Sequence, residues 1–208
     1  MLMEVIIRFI YLMSENVLVK EFEKRIHRFS KEYDALDSKH KSLSILRITI
    51  FVVLTSLIIY AASDKNGLLL AVLVILFVVA FGIIIRIHNR VKFDRKTASF
   101  LKKLNEEEAK RAEGDLSKVY QGNEYGNQQH FYSTDLDVFG SNSLFQLVVR
   151  SRLKQTRDLG AKWLLNHADK REIIGRQDAI EELKEDLEWR QEFTALGMHT
   201  EMIDPKKR

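Results

Sequence analysis

The residues whose types and spacing could do chemistry are the carboxylates of a short motif, Asp135-Leu-Asp137-Val-Phe139-Gly140. Two aspartates separated by one residue are typical of the start of a calcium-binding loop, where carboxylate oxygens ligate the ion. An EF-hand loop also needs an oxygen ligand at its fifth position and a bidentate glutamate at its twelfth. Those positions hold Phe139 and Gln146. We therefore expect these carboxylates to form turns and cap helices instead of binding calcium.

The other reactive side chains lack the spacing that catalysis or metal binding needs. The six histidines are scattered, and none belongs to an HExxH-type pair. The chain has no cysteine, which excludes disulfides, thiolate zinc sites and cysteine nucleophiles. It contains no GxxxxGK[ST] loop to hold nucleotide phosphates. The acidic run from Glu181 to Glu188 is typical of a solvated helix face. We predict no catalytic, cofactor-binding or metal-ligating residue in this chain.

Two apolar runs between Leu43 and Ile85 dominate the elements that surround these motifs. A bilayer core of about 30 Å requires roughly 20 apolar residues in a helix. The second run, Leu68 to Ile85, is about that long and uncharged, and the first reaches this length if Arg47 snorkels to the headgroups. A short polar break separates the two runs. The pattern predicts a transmembrane helical hairpin; the alternative is a buried helical pair in a soluble domain, which would normally keep a polar stripe.

The distribution of cations around the hairpin predicts its orientation. The loop between the two runs holds Lys65 alone, whereas one group of cations lies close before the first run and another close after the second. They are Lys24, Arg25, Arg28, Lys31, Lys39, Lys41 and Arg47 before it, and Arg86, Arg90, Lys92, Arg95, Lys96, Lys102 and Lys103 after it. Because Lys and Arg near span ends stay cytoplasmic, we expect an inner- or plasma-membrane protein with two spans and both termini in the cytoplasm. The same basic collars favour anionic headgroups and explain much of the net charge of +4, which is therefore weak evidence for nucleic-acid binding.

The remaining sequence is expected to be all-α, apart from one irregular linker. Phe22, Ile26, Phe29, Tyr33 and Leu36 recur at helical spacing, and Phe93, Phe100 and Leu104 form a looser stripe, so the two flanking helices are expected to pack antiparallel. Two starts remain open: translation begins at Met1, or at Met13 with residues 1–12 not native. The predicted divisions are an N-terminal amphipathic helix (1–42), the hairpin (43–86), a helix (87–113), a linker loop (114–134) and a helical domain (135–208).

Within the last division the sequence predicts three helices. The first opens with Ser141 or Asn142 as its cap and has Leu144, Leu147 and Val148 as its apolar face. The second covers Leu159 to Asn166. The third runs from Asp169 to about Leu196, with Gly197 as its C-cap. Its expected inward residues are Ile173, Ile174, Ile180, Leu183 and Leu187.

Several motifs in this division resemble the MutS family of DNA mismatch repair proteins. The matching stretches are His130–Gln146 (HFYSTDLDVFGSNSLFQ), Trp163–Ala168 (WLLNHA), Ile174–Leu183 (IGRQDAIEEL) and Trp189–Phe193 (WRQEF). In that family the core, or lever, domain has a Gly-x-x-Ser-Leu-Phe helix, a Trp-Leu helix and an Arg-Gln-x-Ala-x-x-Glu-Leu helix. One branch carries a transmembrane hairpin before the core, with the DLD-x-FG-x-x-SLFQ signature between. The resemblance thus covers roughly Val17 to Gly197.

The sequence also departs from the family. Arg150-Ser-Arg-Leu-Lys-Gln-Thr156 replaces the usual Arg-Thr-x-Thr-x-x-Gly stretch, so the helix reversal there is expected to differ. The family's ATPase, which uses ATP and magnesium, lies downstream of these motifs, and its mismatch-reading Phe-x-Glu wedge does not occur in this chain. The resemblance therefore implies a membrane-anchored, truncated or split MutS-like protein without ATPase activity or a cofactor of its own.

The implied partners of this MutS-like chain are the lipid bilayer, a MutS-like ATPase portion or a homodimer partner, and DNA only indirectly. Two alternatives remain: a small membrane scaffold that binds a protein through its cytoplasmic helices, and a module whose basic collars contact DNA phosphates.

Overall fold

The computed structural model describes residues 2–63, 67–126 and 130–200, with side chains described from residue 17 to 199. The described residues form six α-helices and a short 3-10 turn, and no strand occurs among them, which confirms the all-α prediction. The helices are α1 (Leu2–Ser63), α2 (Gly67–Ala112), α3 (Leu144–Val148), α4 (Lys154–Leu165), α5 (Lys170–Lys184) and α6 (Leu187–Thr200), and the 3-10 turn is Asn123–Tyr125. The side chains of residues 1–16 and the whole of residues 201–208 lie outside the described part, so the structure does not test the alternative start at Met13.

The chain divides into two compact units, which share the two long helices. The hairpin unit is Phe29–Ser99, and the helical unit combines Met1–Arg28 with Phe100–Arg208. The predicted boundaries at 42/43 and 86/87 fall inside continuous helices. The part of α1 that belongs to the hairpin unit, from Phe29 to Ser63, is longer than the roughly 20 residues that a bilayer core requires.

A single seam of less exposed side chains runs along each helix of the hairpin unit. The steps between successive seam residues are three or four, the spacing of an antiparallel coiled coil. The seam of α1 is Phe29, Tyr33, Leu36, His40, Leu43, Arg47, Ile50, Leu54, Ile58 and Ala61, and that of α2 is Leu70, Leu73, Phe77, Ala80, Ile84, His88, Val91, Arg95 and Ala98. The pattern does not change where the polar sequence meets the apolar runs, so the predicted antiparallel packing of the flanking helices continues the hairpin.

Contacts across the seam show the register of the hairpin unit. Asp37 accepts a 2.6 Å hydrogen bond from Arg95 Nη1, the rings of His40 and His88 lie 4.4 Å apart, and Phe51 contacts Phe77 at 5.9 Å between ring centroids. Hydrogen bonds from Lys41 and Arg95 hold the pKa of Asp37 below its ordinary value. Phe93, expected on the looser stripe, is exposed, because the seam passes through Val91 and Arg95 instead.

Both hairpin helices are long and apolar enough to cross a membrane. Only 11% of the apolar window in α1 and 6% of that in α2 is buried within the protein. A helical pair in the core of a soluble domain would have most of such a window covered. The apolar surface outside the seam is thus exposed around the hairpin.

In the helical unit, α6 packs on the segments of α1 and α2 that belong to the same unit. Gln191 and Asn105, both buried, exchange hydrogen bonds of 2.9 and 3.0 Å between their side-chain amides. Arg25 donates to the same Gln191 oxygen through Nε at 3.2 Å and Nη2 at 3.0 Å. Arg28 pairs with Glu188 at 2.9 Å. This polar node fixes the rotation of α6, because a buried amide without its partners would cost about 1–3 kcal/mol.

The predicted helix from Asp169 to Leu196 is two helices, α5 and α6. Helix α5 begins where predicted, and Asp169 caps it by accepting from the Glu172 amide at 2.8 Å. The helix is interrupted after Lys184, and α6 begins at Leu187. Asp186 caps α6, because its side chain accepts from the Trp189 amide at 2.9 Å. Gly197, predicted as a C-cap, lies inside α6.

Candidate functional site

The signature segment Asp137–Gln146 forms a tight turn that closes on a one-and-a-half-turn helix. Asp137, Gly140 and Asn142 have positive φ angles of 46°, 106° and 56°. Glycine, aspartate and asparagine are the residues that tolerate this left-handed region best. The main chain then folds back on itself, because the amides of Leu144 and Phe145 donate to the carbonyls of Asp137 at 3.1 Å and Val138 at 2.9 Å.

The cap of α3 is Ser143, not the predicted Ser141 or Asn142. Ser143 Oγ accepts from the Gln146 amide, and the Gln146 side chain accepts from the Ser143 amide, each at 3.4 Å. This reciprocal pair is a capping box. Asn142 cannot serve as the cap because an N-cap residue takes an extended conformation, whereas Asn142 is left-handed.

The buried face of α3 also differs from the prediction. Leu144, Leu147 and Val148 are exposed, and the buried residues are Phe145 and Gln146, each 1% exposed. The Gln146 amide nitrogen donates to the carbonyls of Leu116 at 3.1 Å and Val119 at 2.7 Å. The signature glutamine thus ties α3 to the segment 114–134. That segment, predicted as a linker loop, is mostly irregular but packs against the turn.

Phe145 is the centre of an aromatic cluster. Its ring lies 5.4 Å from Phe139, 5.5 Å from Tyr125 and 6.2 Å from Tyr120, measured between centroids. Gly122, at φ 68°, passes directly over the ring, and a Cβ added there would lie 2.9 Å from Phe145 Cδ1. The position therefore requires glycine for both its backbone angle and its contact.

Tyr125 links this cluster to α4. Its hydroxyl donates a 2.6 Å hydrogen bond to Asp158 Oδ1. Burial, together with the hydrogen bond to Asp158 and its charge, raises the pKa of Tyr125 to about 12. The same hydrogen bond, followed by that from Lys154, lowers the pKa of Asp158. At neutral pH Tyr125 is therefore a protonated phenol that donates to an ionised Asp158 carboxylate, and the pair is a structural link between the cluster and α4.

A cluster of arginines and glutamates lies where α2 meets the segment after α3. Glu108 pairs with Arg111 and, at 3.1 Å, with Arg150, while Glu107 pairs with Arg152. Three cations share two carboxylates, so the cluster carries an excess positive charge. Burial lowers the pKa of Arg111, and the charge of Glu108 opposes this effect. Arg150 and Arg152 belong to the irregular stretch between α3 and α4.

The structure brings the other motif residues into contact as well. The Arg176 guanidinium of α5 lies 4.0 Å from the ring centroid of Trp163 in α4, a cation–π contact. Trp189 and Phe193 of α6 stack at 5.2 Å. Gln191, between them in sequence, is the buried node described above. Each of the motif segments is thus joined to another part of the helical unit by a specific contact.

The histidines are dispersed, and no group of three potential metal ligands occurs among the described residues. His40 and His88 face each other in the hairpin, where burial and the charges of His40 and Arg47 lower the pKa of His88. His130 Nε2 lies 2.8 Å from the Leu165 carbonyl oxygen, and His199 packs edge-on to Phe100. Asp135 and Asp137 are both exposed, and the motif's role here is the turn itself.

An apolar groove of about 490 Å³ lies on the helical unit. Its apolar walls include Phe22, Leu104, Leu187, Trp189 and Phe193. Its charged lining residues are Arg111, Arg150, Arg152 and Arg190 with Glu107 and Glu108. The sequence alone does not predict this groove, because its walls come from five separate segments. Its apolar walls suit it to binding an apolar segment of a partner.

No family model, curated protein or solved structure matches the chain.

Proposed function

We propose that the chain is an integral-membrane anchor that holds a MutS-core-like helical unit at the cytoplasmic face of the inner or plasma membrane. The observation that carries the membrane part is the exposed apolar surface of the two hairpin helices outside their seam. A helix that is hydrophobic all round requires an apolar environment, and a bilayer supplies one around the whole hairpin. Both helices also exceed the roughly 20 residues that a span needs.

The flanking cations support an orientation with both termini in the cytoplasm and only the hairpin tip outside. Because the chain has no cysteine, single cysteines report topology without background. We expect Gly67→Cys, at the tip, to react with a membrane-impermeant maleimide in intact cells, and Lys103→Cys to react only after the membrane is opened. Labelling of Lys103→Cys in intact cells would contradict this orientation, and equal labelling of both in a soluble fraction would contradict the membrane anchor.

The MutS-like part of the proposal is supported by how the signature residues are used. Ser143, Phe145 and Gln146 are buried and organise the turn, and Trp163 and Arg176 join the next two helices. Residues that specify a fold are the ones a shared architecture would retain, whatever the activity of the whole assembly. We infer an anchoring and core-domain role in DNA-repair-type complexes, with ATP hydrolysis and any DNA contact supplied by a MutS-like ATPase partner.

This role is tested by measuring ATP hydrolysis and DNA binding of the detergent-solubilised chain, alone and with a MutS-like ATPase polypeptide. Activity that appears only with the second polypeptide, together with co-elution of the two, would support the proposal. If the chain alone bound DNA, its affinity should fall steeply with salt as phosphate contacts are screened, and the basic collars would be the better explanation. No association with such an ATPase would remove the DNA-repair role.

A second candidate is a membrane scaffold that binds another protein without any DNA-linked activity. It is favoured by the exposed apolar side chains of α5 and α6, which include Ile180 and Phe193. Exposed patches of this kind mark interaction surfaces. The two candidates differ in their ATPase dependence: a scaffold should bind its partner equally well with or without nucleotide in the mixture, whereas the MutS-like anchor's complex should respond to it.

A further inference from the structure

Helix α5 is exposed along its whole length. None of its 15 residues, all of them described by the structure, is buried. A helix of this length is only marginally stable in water unless packing supports one of its faces. Arg176 of α5 contacts Trp163 of α4 through the cation–π pair described above. Ile173, Ile180 and Leu183 are nevertheless spaced by seven and three residues, as on the contact face of a coiled coil.

Helix α6 has two apolar faces, and one of them is exposed. Gln191, Ala195 and Met198 are buried against the helical unit. Trp189, Phe193 and Leu196 recur at the same spacing on the other side and are about half or more exposed. A helix that is apolar on both sides is normally covered on both. We call the exposed residues Ile173, Ile180 and Leu183 of α5 with Trp189, Phe193 and Leu196 of α6 the α5–α6 stripe.

The groove and the stripe are adjacent. Leu183 and Leu187, at the end of α5 and the start of α6, line the groove together with Trp189 and Phe193. Because one surface carries both exposed apolar helix residues and an apolar concavity, it can be complementary to itself. A two-fold interface requires this property, since each copy uses the same patch.

The charges on the two features are opposite. Glu181, Glu182 and Glu185 flank the stripe near the end of α5, and all are exposed. The groove is lined by four arginines, Arg111, Arg150, Arg152 and Arg190, and by two glutamates, Glu107 and Glu108. Although the glutamates pair with three of these arginines, the groove keeps an excess of positive charge. Placing α5 of one copy against the groove of another would pair carboxylates with guanidiniums and cover the apolar side chains of both. Opposite charges at the rim favour this register and oppose others.

We propose that the α5–α6 stripe and the groove form a symmetric homodimer interface, with α5 of each copy occupying the groove of the other. This proposal does not depend on the MutS-like role. It requires that the helical unit folds as described, and its test in bilayers rests on the proposed membrane anchor, which the topology labelling checks separately. The membrane anchor would favour it, since two copies confined to one bilayer in one orientation meet at a high effective concentration.

The test uses the full chain in lipid bilayers and exploits the absence of cysteine. Two differently tagged copies, one carrying Glu181→Cys and the other Arg150→Cys, are co-expressed and treated with a short bifunctional maleimide. We expect a cross-linked species that contains both tags. A cysteine pair with Ser141→Cys in place of Arg150→Cys serves as the control and should give at least about fivefold less product. Equal yields from the two pairs, or no product from the first, would overturn the proposal.

A second measurement guards against local damage at Arg150, which pairs with Glu108. Ile180→Asp places a charge in the proposed interface at a side chain that is 66% exposed, so the single copy should fold normally. The dimer dissociation constant should rise by about tenfold or more, because a carboxylate would be buried against apolar side chains. Phe131→Asp, at a side chain that is 97% exposed, is the matched control and should leave the constant within about twofold. A dimer unaffected by Ile180→Asp, or a chain that is monomeric at all densities, would overturn the proposal.

Discussion

The turn formed by Asp137–Gln146 and the α5–α6 stripe lie in the same division of the sequence, but the core of the turn is buried and the stripe is exposed. In the turn, Phe145 and Gln146 are buried, and the Gln146 side-chain amide donates hydrogen bonds to the carbonyls of Leu116 and Val119. In the stripe, Ile180 and Phe193 are each 66% exposed. The turn is completed by its own chain, whereas the stripe is apolar surface that the chain does not cover. The difference indicates that the turn stabilises the fold of the helical unit, and it supports the proposal that the stripe binds a second copy.

The largest effect that separates the two regions is expected from truncating Phe145. Phe145→Ala removes the centre of the aromatic cluster and should lower the free energy of unfolding of the helical unit by about 3–5 kcal/mol. Leu147→Ala, on the same short helix but exposed, should cost less than about 1 kcal/mol. Urea titrations followed by tryptophan fluorescence measure this unit selectively, because both tryptophans lie in it. Equal costs for the two variants would contradict the burial of Phe145 and the exposure of Leu147.

Replacing Gln146 breaks the tie between α3 and the irregular segment. Gln146→Leu keeps a similar size but leaves the carbonyls of Leu116 and Val119 without the side-chain donor. We expect a loss of about 1–3 kcal/mol in the same urea titration. Faster amide hydrogen exchange in residues 116–119 should accompany this loss. A stable variant with unchanged exchange there would show that the amide is not the tie.

The capping box gives a smaller effect with a close control. Ser143→Ala removes the cap and should cost about 1 kcal/mol, the usual value for an N-cap serine. Ser141→Ala, two residues earlier, should change the unfolding free energy by less than about 0.5 kcal/mol. The same fluorescence titration distinguishes them. A larger cost at Ser141 would restore the cap that the sequence alone predicted.

These contrasts show what the sequence could and could not predict. Apolar periodicity predicts the long helices. It also correctly predicts the less exposed side of α1 from Phe22 to Leu36, because the spacing repeats over several turns. Helix α3 has only five residues, too few to show a helical period. Hydrophobicity alone therefore predicts Leu144, Leu147 and Val148 as its buried face, which is wrong. A local signal was available, since Ser143 followed three residues later by Gln146 is the capping-box pattern.

The break between α5 and α6 had a comparable signal in Asp186, whose side chain can cap a new helix. The groove had none, because the residues that line it are far apart in sequence and only the tertiary fold brings them together.

The hydrogen bond between Tyr125 and Asp158 predicts a pH effect on the turn. With its pKa raised to about 12, Tyr125 stays protonated in the folded state after it would ionise in the unfolded chain, near its ordinary value of 10.0. The unfolded state then binds fewer protons, so the stability contributed by Tyr125 should fall as the pH rises from 10 towards 12. Spectrophotometric titration of tyrosinate should lose its most alkaline component in Tyr125→Phe. A titration curve unchanged at high pH would contradict the buried hydrogen bond.

The smallest intramolecular effect is expected in the stripe. Ile180→Ser, measured at dilutions where the chain is monomeric, should change the unfolding free energy by less than about 0.5 kcal/mol, because the side chain contacts little of its own copy. The same urea titration applies. A cost of several kcal/mol would mean that α5 is packed within one copy and that the contrast between the two regions does not hold.

Hydrogen exchange across both regions, at two surface densities in lipid, tests the contrast most directly. The full chain is compared in crowded vesicles and at one copy per nanodisc. We predict that the amides of residues 143–149 are equally protected in both, and that those of α5 exchange at least about tenfold faster at one copy per nanodisc. Equal protection of α5 in the two preparations would contradict the claim that this helix is completed by a second copy.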